Sequence, residues 1–456
     1  MHDVTDTETL AESLYEDDGD VSVGARLVAN AHLETSTFDS DADEEMLLCK
    51  LPFGERGLRF ALPRDYIDLI ERFDGSRDTD DVVKDYLATY SGKRDDKPAD
   101  WWNRLARESL QAKGLLVAVG DDPKMAGRAK QKGRAFLYVK LPVFRPALVQ
   151  WISRRLRFFF SPVVVMAAIA GFIAMHAVVY GYLFPTHGFS LDSLSTADLA
   201  LIMLFSTLGT IVHEFGHSGA AARYGCRNME IGWGIYLIYT VLWSDVSDAW
   251  KLPRAQRAMV DAGGVYLECY FLLVMFVSYF ATGNTVFLFA FIFINLSMAT
   301  TLNPFLRMDA YWFLSDLFGI VNLRERQVRW VESLVTGQTV TDQVGLSRRA
   351  KLFLGWYSVL GTVFMSCLVY FLYRYVIFDV AVGMPGRLAD YAANAGGYTF
   401  LQHVDQLLEI GWRSVTLLGG TLLAFAVVRM VGRVLRLLVR AVTIRTGFGR
   451  VGAAHG

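Results

Sequence analysis

The chain has 456 residues, room for two or three domains, with 53% hydrophobic and 13% aromatic residues, a formal net charge of −1 and a mean hydropathy of +0.29. Such values exclude an ordinary soluble enzyme, and the excess of apolar residues calls for a membrane. The four cysteines, Cys49, Cys226, Cys269 and Cys367, stand far apart with no Cys-x-x-Cys pair, so neither a thiolate zinc site nor a disulfide framework is indicated and they read as free thiols.

Residues 1–46 hold fourteen Asp and Glu against the single Arg26, with few large apolar side chains, and predict an acidic, disordered tail. A signal peptide would open basic and then apolar, so membrane insertion falls to the first internal span. From 47 to 119 the pattern is that of a small α+β, winged-helix-like domain. Strand-like stretches in Leu47–Leu62 are broken by Gly54 and Gly57, and Tyr66, Ile67, Ile70 and Phe73 then recur at helical spacing up to Asp74-Gly75. Thr79 is the expected cap of a second helix bearing Val82, Val83, Tyr86, Leu87 and Tyr90. Asp100 opens a third with Trp102, Leu105 and Leu110 that ends at Gly114, and Leu115–Val119 closes the domain as a strand.

Winged helices often read nucleic acid, but residues 47–119 hold thirteen basic and thirteen acidic side chains, without the basic excess that a nucleic-acid partner requires. The stretch IERFDGSRDTDDVVKDYLATY, with the later LQAKGLLVAV, resembles the PqqD-like elements that bind leader peptides during the maturation of ribosomal peptides. The resemblance implies a peptide partner; a packing or regulatory domain without a peptide ligand is the alternative.

Residues 120–157 read as a basic linker and interfacial segment. Aromatics and arginines interleave from Pro142 to Phe160, which suits a membrane surface with anionic lipid. Residues 158–440 carry runs of about twenty apolar residues, the length that crosses ~30 Å of hydrocarbon. Six spans are expected, at 158–184, 198–221, 258–280, 285–303, 352–378 and 413–438, so the fold class is a polytopic α-helical membrane protein in the cell membrane. Arg154, Arg155 and Arg157, then Arg223, Arg227, Lys251, Arg254 and Arg257, then Arg324, Arg326, Arg348 and Arg349 mark the cytoplasmic segments. Both termini, including a tail at 441–456, are then cytoplasmic.

The second span contains IVHEFGHSGAA. On a helix His213 and His217 share one face, so two imidazoles reach a single zinc ion while Glu214 stands beside them to work on a water. A charged group near the centre of a membrane helix costs roughly 2–3 kcal/mol on insertion scales, so such a cluster is a functional site by default, against the alternative of polar glue between helices. A catalytic zinc needs a third protein ligand. TLNPFLRMDAYWFLSD, at the end of the fourth span, offers Asp309, with Asp316 as the competitor. Pro304 ends the helix and leaves irregular backbone from which a carboxylate can turn back to the metal.

These paired motifs resemble those of the site-2 protease family of intramembrane zinc metalloproteases, which join His-Glu-x-x-His on one membrane helix to Asn-Pro-…-Asp-Gly on a later one. The resemblance covers Leu199–Leu323, and NPFLRMDAYWFLSDLFGIVNL is similar to the branch found beside peptide-export and peptide-maturation systems. It implies His213, His217 and Asp309 as ligands of one zinc ion per chain and Glu214 as catalytic base. The family's glycine after the aspartate is Ala310 here, which raises the question of local backbone geometry.

Glu268, Asn295 and Asn303 are candidates for orienting the ligands or contacting substrate, with ordinary interhelical hydrogen bonding as the alternative. Ile231–Trp243 is too short to span and strand-like, which predicts a re-entrant hairpin whose edge holds extended substrate, or an interfacial aromatic anchor. The expected function is zinc-dependent hydrolysis of a leader-bearing precursor peptide, with a peptide exporter or modifying enzymes as further partners. Regulated intramembrane proteolysis of a membrane-anchored signalling protein and a non-proteolytic receptor or export scaffold are the alternatives.

Overall fold

The computed structural model describes residues 26–41, 45–51, 58–90, 98–111, 113–123, 139–187, 194–227, 229–236, 239–324, 326–328, 330, 346–371, 373–374 and 378–400, with scattered positions from 402 to 425. The chain divides into two compact units, Met1–Asn322 and Leu323–Gly456.

In the first unit, β1 (Leu27–Ala29) and β2 (Glu34–Phe38) precede β3 (Met46–Leu51) and β4 (Leu58–Pro63). Helices α1 (Arg64–Glu71), α2 (Thr79–Thr89) and α3 (Ala99–Arg104) follow, the last prolonged by a π-helical turn Leu105–Leu110, and β5 (Leu116–Ala118) closes the domain. β2, β3 and β4 form an antiparallel sheet in that order, while β1 pairs with β5, Leu27 opposite Ala118. The helices lay Ile67, Ile70, Val83, Tyr86, Trp102 and Leu105 onto Cys49, Leu51 and Leu62, forming one apolar core.

Three sequence expectations are corrected here. Residues 26–41 are not part of a disordered tail: β1 and β2 lie within them, with Leu27 and Phe38 buried, so the domain begins before residue 47. Residues 1–25 lie outside the described residues. Thr79 is the first helical residue of α2 rather than its cap; the cap position is Asp78, and Thr79 is buried against the core. α3 starts at Ala99, after Pro98, and not at Asp100.

The segment expected as linker and interface also contains a strand, β6 (Val139–Phe144), before the short helix α4 (Pro146–Leu156). The apolar helices follow. α5 (Pro162–Val178) continues through a π-helical stretch and a last turn, giving an apolar length of Pro162–Thr186. α6 (Thr196–Arg223) opens with a capping box in which Ser195 and Asp198 satisfy each other's backbone N–H. Strands β7 (Glu230–Tyr236) and β8 (Tyr239–Asp245) form a hairpin to which β6 adds, in the order β6-β7-β8. α7 (Arg254–Thr282), α8 (Val286–Thr301) and α9 (Asp309–Leu317) complete the unit. α6 packs along α7, and α8 packs against both.

The second unit has α10 (Arg348–Phe371) and α11 (Asp379–Asn394), the latter containing Pro385. α11 occupies the stretch after the fifth expected span.

The protein is thus mostly helical, with a small N-terminal strand region and, among the described residues, four helices long and apolar enough to cross a membrane: Pro162–Thr186, Thr196–Arg223, Arg254–Thr282 and Arg348–Phe371. Their outward faces are apolar and open, as at Val163, Met166 and Ile173, a pattern that water does not tolerate over such lengths and lipid does. This associates the chain with a membrane. The fourth expected span is α8, at 16 residues about 24 Å long and shorter than the hydrocarbon layer. The sixth lies almost wholly outside the described residues.

Candidate metal centre

α6 brings His213, Glu214 and His217 into the interior, where all three are buried. The burial is possible because α6 and α7 approach at glycines. A Cβ on Gly216 would lie 2.2 Å from the Gly263 carbonyl oxygen, so backbone meets backbone. At Gly264 the missing side chain has a direct consequence: a Cβ there would lie 2.5 Å from the Nε2 of both His213 and His217. The Gly263-Gly264 pair therefore leaves the volume in front of the imidazole edges open. The sequence reading passed over it, although a Gly-Gly pair in the middle of an apolar span is a visible sign of close approach.

The third member comes from the break after α8. Asn303 Oδ1 accepts the Phe305 N–H at 3.0 Å around Pro304, the chain turns, and α9 begins at Asp309. His213 Nε2 lies 2.8 Å and His217 Nε2 3.4 Å from Asp309 Oδ2, and the two Nε2 atoms are 3.2 Å apart. His213, His217 and Asp309 form a buried group that can hold a metal ion. Ala310 is an ordinary second residue of α9, so alanine in that position imposes no strain.

The outer nitrogens fix the protonation. His217 Nδ1 is 2.9 Å from the Val260 carbonyl oxygen, an acceptor only, so this nitrogen donates. His213 Nδ1 donates likewise to Glu268 Oε2 at 2.9 Å. In the neutral imidazoles both Nε2 atoms then present lone pairs, toward each other and toward a carboxylate oxygen. Three acceptors converging in a buried place repel unless positive charge lies between them. Bonds of about 2.0–2.1 Å to a tetrahedral zinc require edges of roughly 3.3 Å between donor atoms, close to the three separations here.

Of the secondary candidates, Glu268 stands behind His213 as a ligand-orienting group does. Asn295 does not reach the centre. Its Oδ1 is 3.0 Å from His176 Nε2 on α5, and its amide donates to the Phe291 carbonyl. Asn303 shapes the turn before Asp309. Asp316 is engaged elsewhere, accepting from Arg257 Nε at 2.8 Å, so it is not among the converging acceptors.

No known family model, no curated protein and no solved structure matches the chain.

Proposed function

We propose that the chain is a membrane-embedded zinc endopeptidase that cuts a leader-bearing precursor peptide. The observation that carries this reading is the convergence of two imidazole lone pairs and one carboxylate, with Glu214 next to His213 on the same buried turn. His213, His217 and Asp309 would hold the zinc. When bound, such an ion lowers the pKa of a water toward ~7 and polarises a peptide carbonyl. Glu214 accepts the water's proton on its carboxylate and returns it to the leaving amine. Glu268 and the Val260 carbonyl keep both imidazoles turned with Nε2 inward throughout. A scaffold or receptor would have no use for Glu214, which favours the enzyme reading.

The hairpin supports a mode of substrate binding. β6 covers one side of β7, β8 has no other partner among the described strands, and β8 packs along the histidine helix α6. A peptide added to that edge would be extended, the form in which a scissile bond is accessible, and held by main-chain bonds. The N-terminal domain would recruit the precursor from the cytoplasm. Orientation with both termini cytoplasmic belongs to the same reading, as do an exporter or modifying enzymes as partners and the α4 face of Trp151 and Arg155 on the membrane surface. Regulated cleavage of a membrane-anchored protein would use the same centre.

Purified protein in nanodiscs should cleave a precursor peptide, lose the activity to a chelator and regain it with stoichiometric zinc. Cleavage that survives complete metal removal would end the reading.

A further inference from the structure

The segment that leaves β2 does not stay with its own domain. Phe38 stacks on Trp250, ring centroids 6.0 Å apart, and the Arg257 guanidinium lies 4.5 Å above the Phe38 ring. Asp39 Oδ2 accepts the Arg254 backbone N–H at 3.0 Å, one of the N–H groups that the start of α7 leaves without an intrahelical partner. The Asp39 carbonyl accepts from Arg257 Nη2 at 2.9 Å. Asp41 accepts from Arg254 Nη1 at 3.1 Å, and its own N–H donates to the Gly319 carbonyl at 3.0 Å. That approach needs a glycine. Gly319 has φ +66°, and a Cβ would lie 2.6 Å from the Asp41 nitrogen.

Apart from Trp250, in the short turn before α7, these contacts end on α7 or on the turn just beyond α9. Arg257, 1% exposed, is the centre of the arrangement: its Nη2 donates to the Asp39 carbonyl and its Nε to Asp316 Oδ1. Asp316 stands about two turns along α9 from Asp309 and so on the same side of that helix. A buried guanidinium is kept only where its partners are fixed, because losing one leaves charge without compensation.

We propose that Phe38–Asp41 is an intramolecular strap by which the N-terminal domain holds α9 in place. Asp309 is the first residue of α9, so the strap also sets how far this carboxylate reaches toward the two histidines; this last link rests on the metal reading above. Arg257 and Asp316 are positioning residues in it. The N-terminal domain is then part of the machinery that keeps the centre assembled as well as a candidate recruiter of peptide.

The test uses full-length protein in nanodiscs, wild type and Asp39→Ala/Asp41→Ala, with two readouts. Amide exchange in the metal-free protein should rise about tenfold or more across Tyr311–Ile320, while β3 and the middle of α6 stay as in wild type. The zinc dissociation constant, from competition with a chelator, should rise about tenfold, as when groups supporting a metal ligand are removed. Unchanged exchange in α9 would overturn the strap. Faster exchange with unchanged zinc affinity would overturn its link to Asp309. A wild type that takes up no zinc, alongside faster exchange in the variant, would fell the metal reading and leave the strap standing. If exchange rises in β3 and α6 too, the double variant has lost its fold; Asp41→Asn, which removes only the ion pair with Arg254 and leaves the Asp39 side chain in place, is then judged by the same criteria.

Discussion

An imidazole that donates from Nδ1 offers a lone pair at Nε2, and the centre depends on this being true of two residues together. His213→Ala, His217→Ala and Asp309→Ala should each abolish stoichiometric zinc, measured by metal analysis of the purified variants. Asp316→Ala should weaken zinc binding without abolishing it, since its carboxylate faces Arg257. Full occupancy in Asp309→Ala would remove that residue from the ligand set. Glycines provide a second comparison. Gly264→Ala puts a methyl 2.5 Å from both Nε2 atoms and should cost the site its metal, whereas Gly209→Ala meets only ordinary contacts, 3.4–3.6 Å away, and should keep it. Equal zinc content in these two variants would show that the open volume in front of the imidazoles is not the metal's.

At the scale of elements, what could be read from the sequence was what local pattern encodes. Long apolar runs mark α5, α6, α7 and α10, and His213, Glu214 and His217 are legible because four-residue spacing on a helix fixes their common face. The strands β1 and β2 are not legible. β1 is three residues long and gains its structure from β5, about ninety residues later, and acidic residues around both conceal the few apolar side chains that are buried. β6 was hidden similarly, because its partner β7 lies beyond two apolar helices. Asp309 was preferred to Asp316 in the sequence on zinc-site logic and the motif resemblance, since both sit beyond the same proline; in the structure Arg257, from another helix, engages Asp316 and separates their roles. The helices also carry a prediction about direction. Reporter fusions after Thr196 should read as external and after Lys251 as cytoplasmic, as the arginines flanking α6 and α7 require. The reverse result would put the basic segments on the wrong side and break the proposed orientation.

For the whole molecule, recruitment and catalysis should separate kinetically. If the N-terminal domain binds a leader, removing the leader from the precursor should raise KM and leave kcat nearly constant, because only binding common to ground and transition states is lost. The penalty should shrink as substrate approaches millimolar, where tethering no longer raises the local concentration. Identical kinetics for both peptides would turn the account toward membrane-anchored substrates. The central claim is that a bound metal and a separate proton acceptor do the chemistry. The most direct measurement takes one preparation of Glu214→Gln, which keeps the side chain's shape and cannot accept the proton, and determines both zinc content and single-turnover cleavage against wild type. The account predicts about one zinc per chain in both proteins and a fall in cleavage of roughly two orders of magnitude or more in the variant. Cleavage at the wild-type rate by the zinc-loaded variant would contradict it.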